Sequence, residues 1–298
     1  MKLYAPSYYK DFVCIADKCH HSCCVGWEID IDSVTLEKYK ALTEGYGKEI
    51  IKTVDLCEEP HFKLSCERCP HLTDLGLCKI IIELGEGYLS DICREHPRFY
   101  NSVPRGLEVG VGLACEAAAS LVLSSDGYAD IIPTHGFCDN QPQKNTPTME
   151  LRHKIYAILS DRSVPYSVRL SAIYTELGVS PNIVSDTEWQ EAISSLEFLR
   201  TEDGDLFSCY SSRVYDGEAY TEIFERFLAY LIYRHCTTAS EFDVRASYGF
   251  ALFLERLLAS VSRVMCAERE EIIDIARIIS EEIEYSEDNT EALKLNFY

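Results

Sequence analysis

Four thiols fall within eleven residues in CIADKCHHSCC, which runs from Cys14 to Cys24 and contains Cys14, Cys19, Cys23 and Cys24. Cys69 and Cys78 follow, with eight residues between them, in CPHLTDLGLC, and Cys93 and Cys115 come later. Thiols serve as soft metal ligands, as nucleophiles or as disulfide partners, and spacing helps to separate these roles. A zinc knuckle takes two cysteines two to four residues apart, twice over. Cys66-x2-Cys69 supplies half of such a site, but the 14–24 loop offers three or four thiols where zinc needs two. An iron–sulfur cluster also takes four thiolates, and it draws them unevenly from one loop and from distant positions. The pattern favours iron–sulfur, with zinc as the alternative metal.

Composition sets limits around this chemistry. The chain has 298 residues and is 47% hydrophobic, enough for one or two domains without covalent staples. Fourteen cysteines therefore do not answer a packing deficit. The opening MKLYAPSYYKDF lacks an apolar stretch of the signal-peptide kind, and no run of about 18 apolar residues occurs. A cytoplasmic protein without a membrane partner is expected, and in that compartment thiols stay reduced. The net charge of −21 excludes nucleic acid, whose phosphates require a basic face, and tolerates a cationic partner.

The elements that must position the thiols differ along the chain. Eleven cysteines precede residue 140 and three follow it, and DNQPQKNTP (139–147) has the composition of a linker. The expected division is therefore a cysteine-rich metal-binding module over 1–140 and a helical domain over 141–298. In the module, Asp32 caps a short helix through Leu42. Residues 98–113 read as a small β-hairpin turning at 104–106, and Cys115 opens an alanine-rich helix. Beyond the linker, Ile223, Phe224, Phe227, Leu228 and Leu231 form a helical stripe, as do Ile272, Ile275, Ile279 and Ile283. Val244–Met265 reads as the central helix of a bundle, so the fold class is mainly α. LEVGVGLA (107–114) imitates the glycine loop of Rossmann-type methyltransferases, but it is the second arm of a hairpin and no strand–helix alternation follows, so a chance match is expected. The radical type of S-adenosylmethionine enzyme needs a cysteine where this chain has Gly26.

Six segments, in order, resemble signatures of the flagellin lysine-N-methylase family. They are CHHSCCVGWEIDID, CPHLTDLGLCKI, LGEGYLSDICREHPR, CEAAASLVL, FLAYLIYRH and ISEEIEYSEDN. The first part is also similar to a wider group of zinc- or iron-chelating CxxCxxCC proteins. The resemblance implies S-adenosylmethionine-dependent methylation of lysines on flagellin by an enzyme with an iron–sulfur cluster of the 4Fe-4S type. The chain departs from the family at Ser120, where arginine is the pattern, and at Tyr285, where histidine is. The metal ligands are expected among Cys14, Cys19, Cys23, Cys24, Cys69, Cys78, Cys93 and Cys115, with Cys19, Cys23, Cys78 and Cys93 as the inner set. Arg98 is a candidate for the carboxylate of S-adenosylmethionine. Trp27 is a candidate for the same cofactor site or a packing cap over the metal loop. His20, His21, His96 and His135 are ligand candidates only by proximity, and Glu116 most simply complements a helix N-terminus. The alternative to the enzyme is a non-catalytic zinc- or iron-binding module, for electron transfer or as a scaffold.

Overall fold

The computed structural model describes residues 3–134, 147–180, 184–213, 219–237 and 241–297. His135, residues 139–146 of the expected linker and the expected boundary at 140/141 lie outside the described residues. In chain order the strands are β1 (Leu3–Pro6), β2 (Val54–Asp55), β3 (His61–Phe62), β4 (Arg98–Val103), β5 (Gly106–Val111) and β6 (Ile131–Pro133). The first helices are α1 (Ser33–Ala41), α2 (Gly47–Ile50), α3 (Lys79–Leu84), α4 (Asp91–Glu95) and α5 (Glu116–Ser124). Then come α6 (Pro147–Ser160), α7 (Tyr166–Leu177), α8 (Asp186–Ser194) and α9 (Thr201–Phe207). The last are α10 (Thr221–His235), α11 (Glu241–Val264), α12 (Arg269–Ile279) and α13 (Glu287–Lys294). The fold is mainly helical. No helix among the described residues is long and apolar enough to cross a membrane.

The chain divides into two compact units, each discontinuous in sequence. The thiol unit is Val13–Arg98 with Cys115–Ala117; the helical unit is Met1–Phe12, Phe99–Ala114 and Ala118–Tyr298. The thiol unit closes on a small apolar core that includes Ile29, Ile31, Tyr39, Ile50, Phe62 and Ile80, with Cys69 buried in it and Cys24, Cys78 and Cys93 packed against it. Asp32 caps α1 as expected, accepting from the Thr35 N–H at 2.9 Å. Its other oxygen accepts from the Asp91 N–H at 2.9 Å, so one carboxylate ties the starts of α1 and α4.

In the helical unit the expected hairpin is β4–β5, and it belongs to a four-stranded mixed sheet in the order β4-β5-β1-β6. β1 runs parallel to β5, with Leu3 opposite Leu107 and Tyr4 opposite Glu108, and antiparallel to β6. Glu108 is fully buried in this sheet. Arg152 reaches it through two hydrogen bonds of 2.8 and 2.6 Å, and Arg105 pairs with the same carboxylate. α10 was expected to bury one stripe; it is buried on every side from Ile223 to Tyr233. Its polar residues allow this because each is paired. Glu225 accepts from Tyr128 Oη at 2.8 Å and from Arg169 at 2.7 Å, and Arg226 donates to the Leu123 carbonyl at 2.9 Å.

The stripe of Ile272, Ile275, Ile279 and Ile283 is buried as its spacing requires. Within it, α12 gives way to a π turn over Ser280–Glu284, closed by Tyr285 N–H on the Ser280 carbonyl at 3.1 Å. The turn carries Glu282 and Glu284 inward. Glu282, 1% exposed, accepts from Leu199 N–H at 2.7 Å. Burial pushes its carboxyl up to about 7, and the neighbouring Asp203 carboxyl adds to the rise. A folded pKa near 7 against an ordinary 4.5 gives stability that is complete below pH 4.5 and is lost as pH rises through 7. Thermal melts from pH 5 to pH 8 are therefore expected to show a steeper fall for the wild type than for Glu282→Gln, which keeps the shape and cannot ionise. Parallel curves would remove Glu282 as the source.

Candidate metal centre

The thiol loop is set against the Cys69 segment by backbone pairing. Gly26 N–H donates to the Glu67 carbonyl and Cys69 N–H to the Cys24 carbonyl, each at 2.8 Å, and Val25 bridges Arg68. Gly26 takes φ +82° here, which glycine adopts without a Cβ clash. Cys78 is the N-cap of α3, and Lys79 N–H returns to the His71 carbonyl at 2.8 Å. Cys93 is carried by α4.

These pairings bring thiols together around Cys24. Hydrogen bonds from Cys23 and then Cys69 stabilise the Cys24 sulfur as a thiolate and lower its pKa. The same bonds, together with burial, raise Cys23 and Cys69. Burial raises Cys78, and it pushes Cys93 up to about 11; both also feel the Cys24 charge. Cys115 acts electrostatically on Cys19 and Cys23. Seven of the eight candidate cysteines thus share one neighbourhood, and Cys14, which is exposed, is not among them. Cys66 is exposed in a turn at φ +51°.

Among the described residues, no group of three or more His, Cys, Asp or Glu side chains is placed to hold a metal ion as it stands. The donor set still suits a soft metal. It consists of sulfur, neighbouring thiols lower the pKa of Cys24, and an apolar core backs it, which limits water and lowers the local dielectric.

Two residues outside the thiols shape the site. Glu116 does more than complement α5. Its Oε2 accepts from the N–H groups of His20 at 2.8 Å and His21 at 3.2 Å, and the Cys19 thiol lies 3.6 Å away. Its Oε1 pairs with His20 Nδ1 at 3.2 Å. Burial works to raise this carboxyl, but the His20 imidazole and the backbone donors hold it below the ordinary range. Glu116 is thus a clamp on the first cysteine loop. His71 is 3% exposed, with Tyr46 Oη at 2.5 Å from Nδ1 and Thr53 Oγ1 at 2.9 Å from Nε2. Because Thr53 donates to the Ile50 carbonyl, its oxygen accepts from Nε2–H, and Nδ1 accepts from Tyr46. Both ring nitrogens are used, and burial pushes the imidazole down to about 4. It is a neutral strut beneath the thiols.

The other expected residues are placed as follows. His96 is half-buried, lowered by burial and pulled back by Cys24, while His20 and His21 are exposed. Trp27 is half-buried. Arg98 is half-buried too, with Nη1 3.5 Å from the Arg94 carbonyl. In the helical unit, the glycines of LEVGVGLA answer to packing. A Cβ at Gly110 would strike the Phe99 ring, and one at Gly112 would strike Tyr285 Oη and Arg234. Side chains of the same unit pack closely against both glycines, so close packing accounts for glycine at these two positions.

No family model matches the chain. No solved structure matches it either. The chain is 27% identical over 127 residues to the flagellar biosynthetic protein FliU of Salmonella muenchen, a stretch covering 40% of this chain and 75% of FliU. It is equally similar, over the same length, to the lysine-N-methylases of Salmonella choleraesuis and Salmonella typhimurium, of which the match spans 32%. The chain therefore matches about a third of the length of those two relatives. Over about 40% of its length, the chain thus has a distant, partial similarity to FliU and to the lysine-N-methylases.

Proposed function

We propose that this protein transfers methyl groups from S-adenosylmethionine to lysine side chains of flagellin, in the cytoplasm before export, and that its thiol unit holds an iron–sulfur cluster. The observation that carries this reading is the partial similarity to two lysine-N-methylases and to FliU. The acidic charge supports it, because a net −21 attracts a lysine-bearing partner at long range.

The reaction is a displacement at a sulfonium carbon. The amine nitrogen forms a bond to the methyl carbon, the carbon–sulfur bond breaks, and S-adenosylhomocysteine leaves. The enzyme must align the two reactants and receive the proton that the ammonium gives up. Of the eight candidate thiols, Cys23, Cys24, Cys69 and Cys93 would hold the cluster, with Cys24 and Cys69 taking the places of Cys19 and Cys78 in the expected inner set because Cys24 is hydrogen-bonded to both Cys23 and Cys69; Cys19, Cys78 and Cys115 would lie beside them. When bound, the cluster would cross-link the loops that carry these residues and contribute to folding of the unit. Glu116 would fix the 19–21 backbone, and His71 would support the Cys69 segment.

The test is incubation of the reconstituted full chain with S-adenosylmethionine and unmodified flagellin, read by mass spectrometry. Methyl increments on lysines are the expected result. If the cluster-loaded protein neither binds S-adenosylmethionine nor modifies flagellin, the non-catalytic metal module takes the place of this reading.

A further inference from the structure

In the thiol unit, a thiol, an imidazole and a carboxylate outside the metal centre are arranged for sulfur chemistry. Cys57 lies between β2 and β3, is exposed, and donates through its thiol to the Glu59 carbonyl at 3.1 Å. His61 opens β3 and brings Nδ1 to 2.9 Å from the same carbonyl and to 3.7 Å from the Cys57 sulfur. A carbonyl only accepts, so Nδ1 carries a proton. The other ring nitrogen, Nε2, lies 4.0 Å from Glu28 Oε2. Both nitrogens therefore face acceptors, and the arrangement favours the imidazolium. The Glu59 carbonyl, followed by the Glu28, Asp55 and Asp30 carboxylates, holds the imidazole above its ordinary range.

A nucleophile beside a ring that a carboxylate faces in turn has the parts of an activated thiol. The species that attacks a disulfide is the thiolate, and a positive charge held beside the sulfur assists that attack. Here the charge is at Nδ1–H, which donates to the sulfur once the thiol has lost its own proton. Among the described residues, Cys14, Cys66 and Cys266 are exposed as well, and none of them has a ring nitrogen within hydrogen-bond reach. The surroundings of Cys57 are acidic. Glu58 and Glu59 follow it and are exposed, Asp55 pairs with His61 and Asp30 bridges it, and with Glu28 they outnumber His61 and Lys63. Such a field repels an anionic reagent and draws a cationic one.

We propose that Cys57 is a site of reversible S-thiolation, and that its reagent is a small cationic disulfide of the class formed by oxidised aminothiols. The proton of the Cys57 thiol goes to solvent. The thiolate then forms a bond to one sulfur of the reagent, the reagent's own S–S bond breaks, and its second sulfur leaves as a thiolate that takes a proton from water. The disulfide is the oxidant, since its leaving sulfur is reduced as the Cys57 sulfur is oxidised. Neither the methylase reading nor a bound cluster is needed for this step.

The test is to treat the reduced full chain with cystamine near neutral pH without oxygen, quench with acid and read each cysteine by peptide mass spectrometry. Cys57 is expected to gain the adduct about 5-fold or more ahead of Cys14, Cys66 and Cys266, the effect of one charge at this range in water. His61→Gln should bring Cys57 down to the rate of those three, whose own rates stay as they were. That comparison inside one molecule separates loss of the imidazolium from a general loosening. Glu28→Gln should slow Cys57 by about 2-fold. Glutathione disulfide, which is anionic, should react at Cys57 about 10-fold more slowly than cystamine once both are scaled to their rates with free N-acetylcysteine, and joint Glu58→Gln and Glu59→Gln should narrow that gap. Cys57 reacting no faster than the three comparators, or His61→Gln leaving its rate unaltered, overturns the proposal. Should His61→Gln fail to fold by circular dichroism, Glu28→Gln and the pair of reagents decide, and an unaltered rate in the variant together with equal scaled rates for both reagents overturns it. Equal scaled rates with the His61 dependence intact overturn the choice of a cationic reagent.

Discussion

Glu108→Ala is expected to destabilise the helical unit by about 3–5 kcal/mol, the scale for removing one partner from a buried ion pair. Glu108 is fully buried, and Arg152 and Arg105 meet on it with side chains 3% and 5% exposed. Burial alone would raise this carboxyl, and the two guanidinium groups hold it below its ordinary range instead. Without the carboxylate, two positive charges stay buried against each other. The melting temperature should drop by something on the order of 10 °C. A triple variant, Glu108→Leu with Arg105→Leu and Arg152→Met, should recover most of the loss because no charge is then left in the interior. A loss below about 1 kcal/mol for Glu108→Ala would mean that water reaches the two arginines.

Cys24→Ala is expected to cut iron binding by about 10-fold or more, since even residues that only orient metal ligands cost that much. Cys24 is the sulfur that both Cys23 and Cys69 address. Cys14→Ala, at an exposed thiol, should keep iron near the wild-type level. Iron and sulfide analysis after anaerobic reconstitution reads both variants, and full occupancy in Cys24→Ala would remove the assignment of this centre. The same preparations should show parallel loss of methyl transfer if the cluster orders the loops that the reaction needs.

The parts of this fold that could be read from sequence are those set by neighbours along the chain. The Asp32 cap, the turn of the β4–β5 hairpin and the isoleucine stripe of α12 each depend on residues within a few positions of one another, and each is found. The additions to the hairpin were not legible. β1 and β6 are four and three residues long, too short for a pattern, and their pairing spans more than a hundred residues. The π turn is also silent in the stripe, because Ile279 and Ile283 stay four residues apart and remain buried.

In the thiol unit, residue type and spacing pointed to soft-metal chemistry, but they could not say which sulfurs meet. The backbone pairing of Val25 with Arg68, which sets Cys24 beside Cys69, is a long-range event. Glu116 was read through its position at a helix start, whereas its partners lie 95 to 97 residues back in the chain. His71 offered a signal that went unused. A histidine inside CPHLTDLGLC, two residues from a buried cysteine, is placed to touch the same core.

The interruption of the thiol unit, which takes in 13–98 and then waits for 115–117, also sets an order of events during synthesis. A nascent chain released as far as Arg98 has nearly every cysteine of the unit but lacks the carboxylate that pins its first loop. At about 5–20 residues per second, that interval lasts on the order of seconds, during which reduced thiols are exposed to oxidants and to stray metals. On the proposal of a bound cluster, cells making this protein would gain from loading it after translation has passed Ala117, and a ribosome stalled before that point should release chains prone to mixed disulfides.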